Sequence, residues 1–154
     1  MHILLRDVHT DDLETLFEYQ REPAAIQMAA FPGRDREAFM LHWMQNVLGD
    51  PAVIAKIIEV DGQVAGFINS FQRDSERQVG YWLGSRFWGR GIATQGLEQI
   101  LHSDSSRPLY AHVAKTNIAS TRVLEKCGFS VCREEVAADG VEEIVLRLEC
   151  RRSG

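Results

Sequence analysis

Hydrophobic and polar positions change period repeatedly along the chain, and each change marks an element. ILLRDV (3–8) predicts a first strand. DDLETLFEYQ (11–20) then spaces Leu13, Leu16 and Phe17 as one face of a helix. Asp11, with Glu14 three positions later, resembles a capping pair. PAAIQMAAFPG (23–33) holds no clean period and reads as a loop or broken helix. DREAFMLHWMQNVLG (35–49) predicts a second helix, with Phe39, Trp43 and Val47 on one stripe and Gly49 beyond its end. AVIAKIIEV, the turn Asp61-Gly62 and QVAGFINSFQ form a hairpin, and RQVGYWLG (77–84) continues it as a third strand.

The second half alternates strand and helix. GIATQGLEQILHS (91–103) carries Ala93, Leu97, Ile100 and Leu101 on one side, PLYAHVA (108–114) is a strand, and NIASTRVLEKCG (117–128) is a helix closed by Gly128 with Phe129 as its apolar partner. FSVCREEVA and VEEIVLRLE, joined at Asp139-Gly140, make a last hairpin. The predicted order is β-α-α-β-β-β-α-β-α-β-β. An antiparallel meander feeding a βαβ crossover is an α+β (mixed α/β) arrangement, not an alternating doubly wound sheet. No repeat and no linker divides residues 1–154, so one domain is expected.

Composition narrows the function only a little. The chain is 45% hydrophobic and 25% charged with a net charge of −5. That balance argues against nucleic acid or an anionic membrane as partner. No apolar run reaches the roughly 20 residues that span a bilayer, and the N-terminal segment lacks the pattern of a secretory signal, so a cytoplasmic location is expected. Cys127, Cys132 and Cys150 form no CxxC pair and read as reduced thiols.

The chemistry concentrates in FWGRGIATQG (87–96). A dinucleotide fingerprint fails here, because Thr94 stands where a third small residue belongs and the preceding strand ends a meander. A Walker A loop fails too, because Leu97 follows Gly96 where a lysine is required. What survives is a helix N-terminus whose first N–H groups lack internal partners and, with the helix dipole, favour an anion. Gly89 and Gly91 allow close approach, Arg90 adds a charge and Thr94 a hydroxyl. A glycine-rich turn with nothing bound fits the same residues.

The next helix carries the second signal. Trp88-Gly-Arg-Gly91-Ile-Ala93, followed at a fixed distance by Asn117-x-x-Ser120 and Val123-Leu124-x-Lys126-x-Gly128-Phe129, resembles the paired motifs of the GCN5-related N-acetyltransferases, the GNAT family. The likeness is greatest to its ribosomal-protein N-terminal acetyltransferase branch. The resemblance implies a mostly antiparallel twisted sheet with one splayed parallel pair of strands and flanking helices. It implies acetyl-CoA as donor, no metal, and direct transfer to a primary amine: a protein N-terminus, an amino acid or another small amine. A homodimer is compatible with it.

The family pattern also carries residue roles. The pantetheine arm would follow Trp82, Leu83 and Gly84. The pyrophosphate would sit on Gly89, Arg90, Gly91, Ile92, Ala93 and Thr94 beside Trp88, and Asn117 and Ser120 would complete the donor site. Many members have a tyrosine acid where Leu124 stands, so Ser120 becomes the candidate acid. Tyr81, His112 and Glu59 are the remaining catalytic candidates, with Glu76 beside them. Acceptor walls are expected from 21–37, the turn at 72–76 and the last hairpin, with Phe31, Arg34, Arg36, Arg73, Asp74 and Glu76 as candidates. The missing tyrosine keeps a second class in view: a non-catalytic acyl-CoA-binding or sensing module.

Overall fold

The structure, a computed structural model, describes residues 1–29 and 34–149. Its strands are β1 (Ile3–Asp7), β2 (Ile54–Val60), β3 (Gln63–Arg73), β4 (Glu76–Leu83), β5 (Leu109–Ala114), β6 (Ser130–Val136) and β7 (Glu142–Leu148). Its helices are α1 (Leu13–Gln20), α2 (Pro23–Ala29), α3 (Arg36–His42), α4 (Ile92–Ser103) and α5 (Ile118–Lys126). One seven-stranded sheet runs β1-β2-β3-β4-β5-β7-β6, antiparallel except where β4 meets β5. This is the predicted α+β order with one addition. The segment expected as loop or broken helix forms α2 before the described residues break off at 29.

Two apolar clusters hold the layers together. On one face of the sheet α4 and α5 pack Ile92, Leu97, Ile100 and Leu124 against Ile58, Ile68, Val79 and Leu146. On the other, α1 and α3 pack Leu16, Phe17, Phe39 and Trp43 against Ile57. Trp43 begins a π-helical turn, Trp43–Val47, that extends α3 and keeps Val47 buried. Its ring meets Phe67 edge-on at 4.9 Å, a favoured aromatic geometry.

Local signals met different fates. Asp61 and Gly62 both take positive φ, as a type I′ hairpin turn requires. At the second Asp-Gly pair only Gly140 does. Ala137 and Val141 close a three-residue loop around it, with the Val141 N–H donating to Asp139. After α5 the Gly128 N–H donates to the Glu125 carbonyl and the Phe129 N–H to that of Leu124, a complete Schellman closure. The expected Asp11–Glu14 cap does not form. Asp12 accepts the His9 N–H at 2.8 Å and takes both terminal nitrogens of Arg6, while Glu14 pairs with Arg36.

The sheet opens where β4 and β5 run together. They share one register pair, Gln78 with Tyr110, and then diverge. Across its other edge β4 is paired with β3 as far as Leu83, and the Gly84 N–H donates to Ala65. Alternation in that ladder turns the backbone of Trp82 and Gly84 toward β3 and that of Tyr81 and Leu83 toward the gap. Close approach at Gly66 keeps β3 seated there, since a Cβ at that position would stand 1.9 Å from the Trp82 carbonyl oxygen.

Candidate active site at the β4–β5 opening

The glycine-rich stretch is where the fold turns from β4 into α4. Gly89 and Gly91 take φ of 71° and 76°, a left-handed backbone that a side chain resists. Gly91 is the N-cap of α4 and offers no side-chain cap. The first bond of the helix runs from the Gln95 N–H to the Gly91 carbonyl, at 3.2 Å. Among the described residues nothing bonds the N–H groups of Ile92, Ala93 or Thr94. No acidic residue occupies this first turn, and a Cβ at either glycine would meet only open space within 4 Å. The arrangement is an anion cradle.

That cradle opens into a cavity of about 460 Å³ running between β4 and α5. Leu83, Trp88, Gly89 and Gly91–Thr94 line one end, and Tyr81, Trp82, Asn117 and Ser120 the other. The Trp88 indole N–H donates to the Leu83 carbonyl at 3.1 Å, which fixes the wall beside the cradle. Lys126 reaches the same cavity from the end of α5. Two expected donor residues do not line it. Gly84 spends its N–H on Ala65, and Arg90 is exposed, its guanidinium 5.8 Å from the Phe87 ring. Ala25 and Met28 of α2, from the 21–37 stretch expected as acceptor wall, line this cavity instead, and Phe87 lines it without having been anticipated.

A second cavity, about 370 Å³, faces α1 and α3 across the sheet. The two share Tyr81, Trp82, Asn117 and Ser120. At that junction the Tyr81 hydroxyl and the Ser120 Oγ lie 2.7 Å apart. Burial pushes the Tyr81 phenol above its ordinary value, an effect the Ser120 bond only partly offsets, so it holds its proton at neutral pH. Asn117 caps α5, its Oδ1 accepting the Ser120 N–H at 3.2 Å, which fixes where Ser120 points. Leu124, which stands in the family's tyrosine position, is buried and lines the second cavity.

His112 lies on the wall of the second cavity with Glu143. Its Nε2 is 3.4 Å from Glu76, and its Nδ1 is 3.6 Å from both Glu135 and Glu143. The ring therefore has a carboxylate on either side. Glu76 also takes Arg133 at 2.9 Å. Burial pushes its carboxyl up, but Arg133 and His112 pull it further down, below the ordinary value. Glu59 stands apart from both cavities, bound to Arg6, and its carboxylate serves the β1–β2 edge.

The expected acceptor wall is corrected in the same way. Arg34 lines the second cavity, but Arg36 is turned to Glu14 and Arg73 to Asp74, all on exposed side chains. Phe31 and Cys150 lie outside the described residues. Burial pushes the Cys127 thiol up to about 11, and its Sγ faces the Thr94 carbonyl, so it is an inert packing thiol.

Comparison with known proteins gives this geometry its family. The sequence model of the acetyltransferase (GNAT) domain matches residues 2–130. The chain belongs to the GNAT acetyltransferase family and is an acetyltransferase. Among curated proteins no sequence match is found. Solved structures share the fold across nearly the whole chain. Aminoglycoside acetyltransferase AAC(6')-Ib, in complex with paromomycin and acetyl-CoA, is 19% identical with a TM-score of 0.79, covering 96% of this chain and 93% of that one. RimL, a ribosomal L7/L12 alpha-N-protein acetyltransferase in complex with coenzyme A, is 17% identical with a TM-score of 0.80, covering 96% and 94%. A chimera of the spermidine N-acetyltransferase SpeG from Vibrio cholerae is 16% identical with a TM-score of 0.78, covering 96% and 95%. Among the described residues no helix is long and apolar enough to cross a membrane, and no group of side chains is arranged to hold a metal ion.

Proposed function

We propose that this acetyltransferase takes its acetyl group from acetyl-CoA in the first cavity and delivers it to a primary amine entering from the second. One observation carries the reading. Two cavities on opposite sides of the β4–β5 gap meet at a hydrogen-bonded Tyr81–Ser120 pair. Residues of the first cavity suit the donor. The N–H groups of Ile92–Thr94 would hold the pyrophosphate, and the Leu83 N–H, turned to the gap, would hydrogen-bond the pantetheine arm or the thioester oxygen.

The thioester supplies an activated acyl group. What the chain supplies is position and proton traffic. An amine is protonated near neutral pH and must lose that proton before attack. His112, flanked by carboxylates on the acceptor side, serves as the acceptor of that proton. Tyr81, protonated and bonded to Ser120, serves as the donor to the departing sulfur, and the proton that the nitrogen sheds as the amide forms restores the phenol. A half-buried tyrosine on β4 thereby stands in for the one that Leu124 replaces on α5.

The test is thiol release from acetyl-CoA with a panel of primary amines: phenethylamine, glycinamide, spermidine and kanamycin. The reading expects release dependent on at least one amine, with product mass increased by one acetyl group. Tight CoA binding with no release on any amine would overturn it in favour of a non-catalytic acyl-CoA-binding module.

A further inference from the structure

Among the described residues, one buried polar group on the acceptor side has no hydrogen-bond partner. Asn69 on β3 is 9% exposed and lines the second cavity, yet its Oδ1 is buried without a hydrogen-bond partner. Among the described residues its side-chain amide makes no hydrogen bond at all. Buried polar groups are nearly always satisfied, and an orphan one costs stability. The two ends of a side-chain amide exchange by a simple flip, so either the oxygen or the nitrogen can face the cavity.

The register shows why this amide is reachable. Asn69 lies opposite Gly80 on β4 and Ala55 on β2, two of the smallest side chains available. On β5, His112 sits two residues beyond Tyr110, as Gly80 sits two beyond Gln78, the one pair that joins the strands. Asn69, Gly80 and His112 therefore form a row across one face of the sheet, with Gly80 as a gap between the two side chains. Gly80 has no structural need to be glycine. Its φ is not positive, and a Cβ there would meet only the Phe71 ring edge at 3.9 Å. A strand glycine lowers stability relative to alanine, and a strand position kept open in this way marks close approach of something else.

Resting on the acetyltransferase reading above, we propose that Asn69 and Gly80 form the seat of the acceptor amine. The nitrogen lies over Gly80, one N–H donates to the Asn69 side-chain oxygen, and another faces the His112 ring. The amide holds the nitrogen beside the β4–β5 opening, and Gly80 leaves the room for it. Phe71 and Trp82, which line the same cavity, flank the carbon next to the amine.

Two substitutions separate this role from a structural one. Asn69→Leu removes an orphan polar group, so the melting temperature holds or rises. Gly80→Ala is sterically tolerated and does the same. CoA affinity is unchanged in both. The acceptor KM rises roughly tenfold or more in each, the loss of one well-made hydrogen bond or of the space for the amine. A melting point lowered by Asn69→Leu, or an acceptor KM within twofold of the parent in both variants, overturns the seat.

A readout without turnover guards against failure of the acetyltransferase reading itself. The Asn69 side-chain NH2 resonances, assigned by their absence in Asn69→Leu, are followed by NMR in the CoA-bound protein. They shift on adding phenethylamine, glycinamide, spermidine or kanamycin. Resonances unmoved by all four contradict the proposal whether or not the enzyme turns over.

Discussion

Replacing Gly91 by aspartate separates the stability of the cradle from its use. The position is the N-cap of α4 in a left-handed conformation, with open space where a Cβ would go. A side chain held at that φ costs about 1–2 kcal/mol. Aspartate at an N-cap returns about 1 kcal/mol by accepting a free first-turn N–H, and its charge gains about 0.3–1 kcal/mol from the helix dipole. The terms nearly cancel, and a residue of about 1 kcal/mol moves the melting point by about 4 °C at most in a chain of this size. The ligand sees something different. A carboxylate about 6 Å from a phosphate charge, at an effective dielectric of about 20, repels it by about 3 kcal/mol. That corresponds to a loss of affinity of about 100-fold, before counting the N–H group that the aspartate occupies. Calorimetric titration with CoA measures the loss, and a thermal melt of the unliganded protein supplies the control. A variant that melts within about 4 °C of the parent and binds CoA within threefold of it would refute the cradle.

Further outcomes follow from the geometry. Tyr81→Phe keeps the ring and removes the proton, so kcat falls by about 100-fold while the KM for acetyl-CoA holds; equal loss in both would make the tyrosine structural. Gly66→Ala forces a Cβ onto the Trp82 carbonyl, with backbone on the receiving side, and costs more than about 3 kcal/mol; a melting point lowered by less than about 5 °C would contradict the close approach. Asp12 is held below the ordinary carboxylate range, first by its bonds to Arg6, with burial opposing and the His9 N–H adding to the effect. Its folded value is the lower one, so its contribution is complete above about pH 4 and fades as pH falls through the folded value. Asp12→Ala therefore lowers the melting point at pH 7, by about 4–8 °C for a loss of about 2 kcal/mol, and the difference from the parent shrinks on acidification; a constant difference down to pH 2 would contradict the pairing.

Much of this was legible in the sequence because local chemistry and tertiary context agree there. The Asp61-Gly62 turn, the apolar faces of α1, α3 and α4, and the Gly128–Phe129 closure each satisfy a short-range requirement that the fold also needs. The turn into α4 and the cap of α5 were readable for the same reason, since Gly89, Gly91 and Asn117 act through their own backbone or cap. What was missed depends on partners far away in the chain. Asp12 was passed over for Asp11 because its partner, Arg6, comes from β1. Glu59 stood among the catalytic candidates because Arg6, which claims its carboxylate, lies on another strand. Gly84 and Trp82 turn toward β3, a parity that only the register reveals. Asn69 and Gly80 carry no motif at all; the one available signal was a polar residue inside an apolar strand opposite a glycine in the next.

A crystal structure with bound CoA tests the central claim most directly. The account predicts the pyrophosphate on the N–H groups of Ile92–Thr94 and the sulfur beside the Tyr81–Ser120 pair, where the two cavities meet. A sulfur that ends elsewhere, with Tyr81 and Ser120 still bonded only to each other and out of its reach, would contradict it.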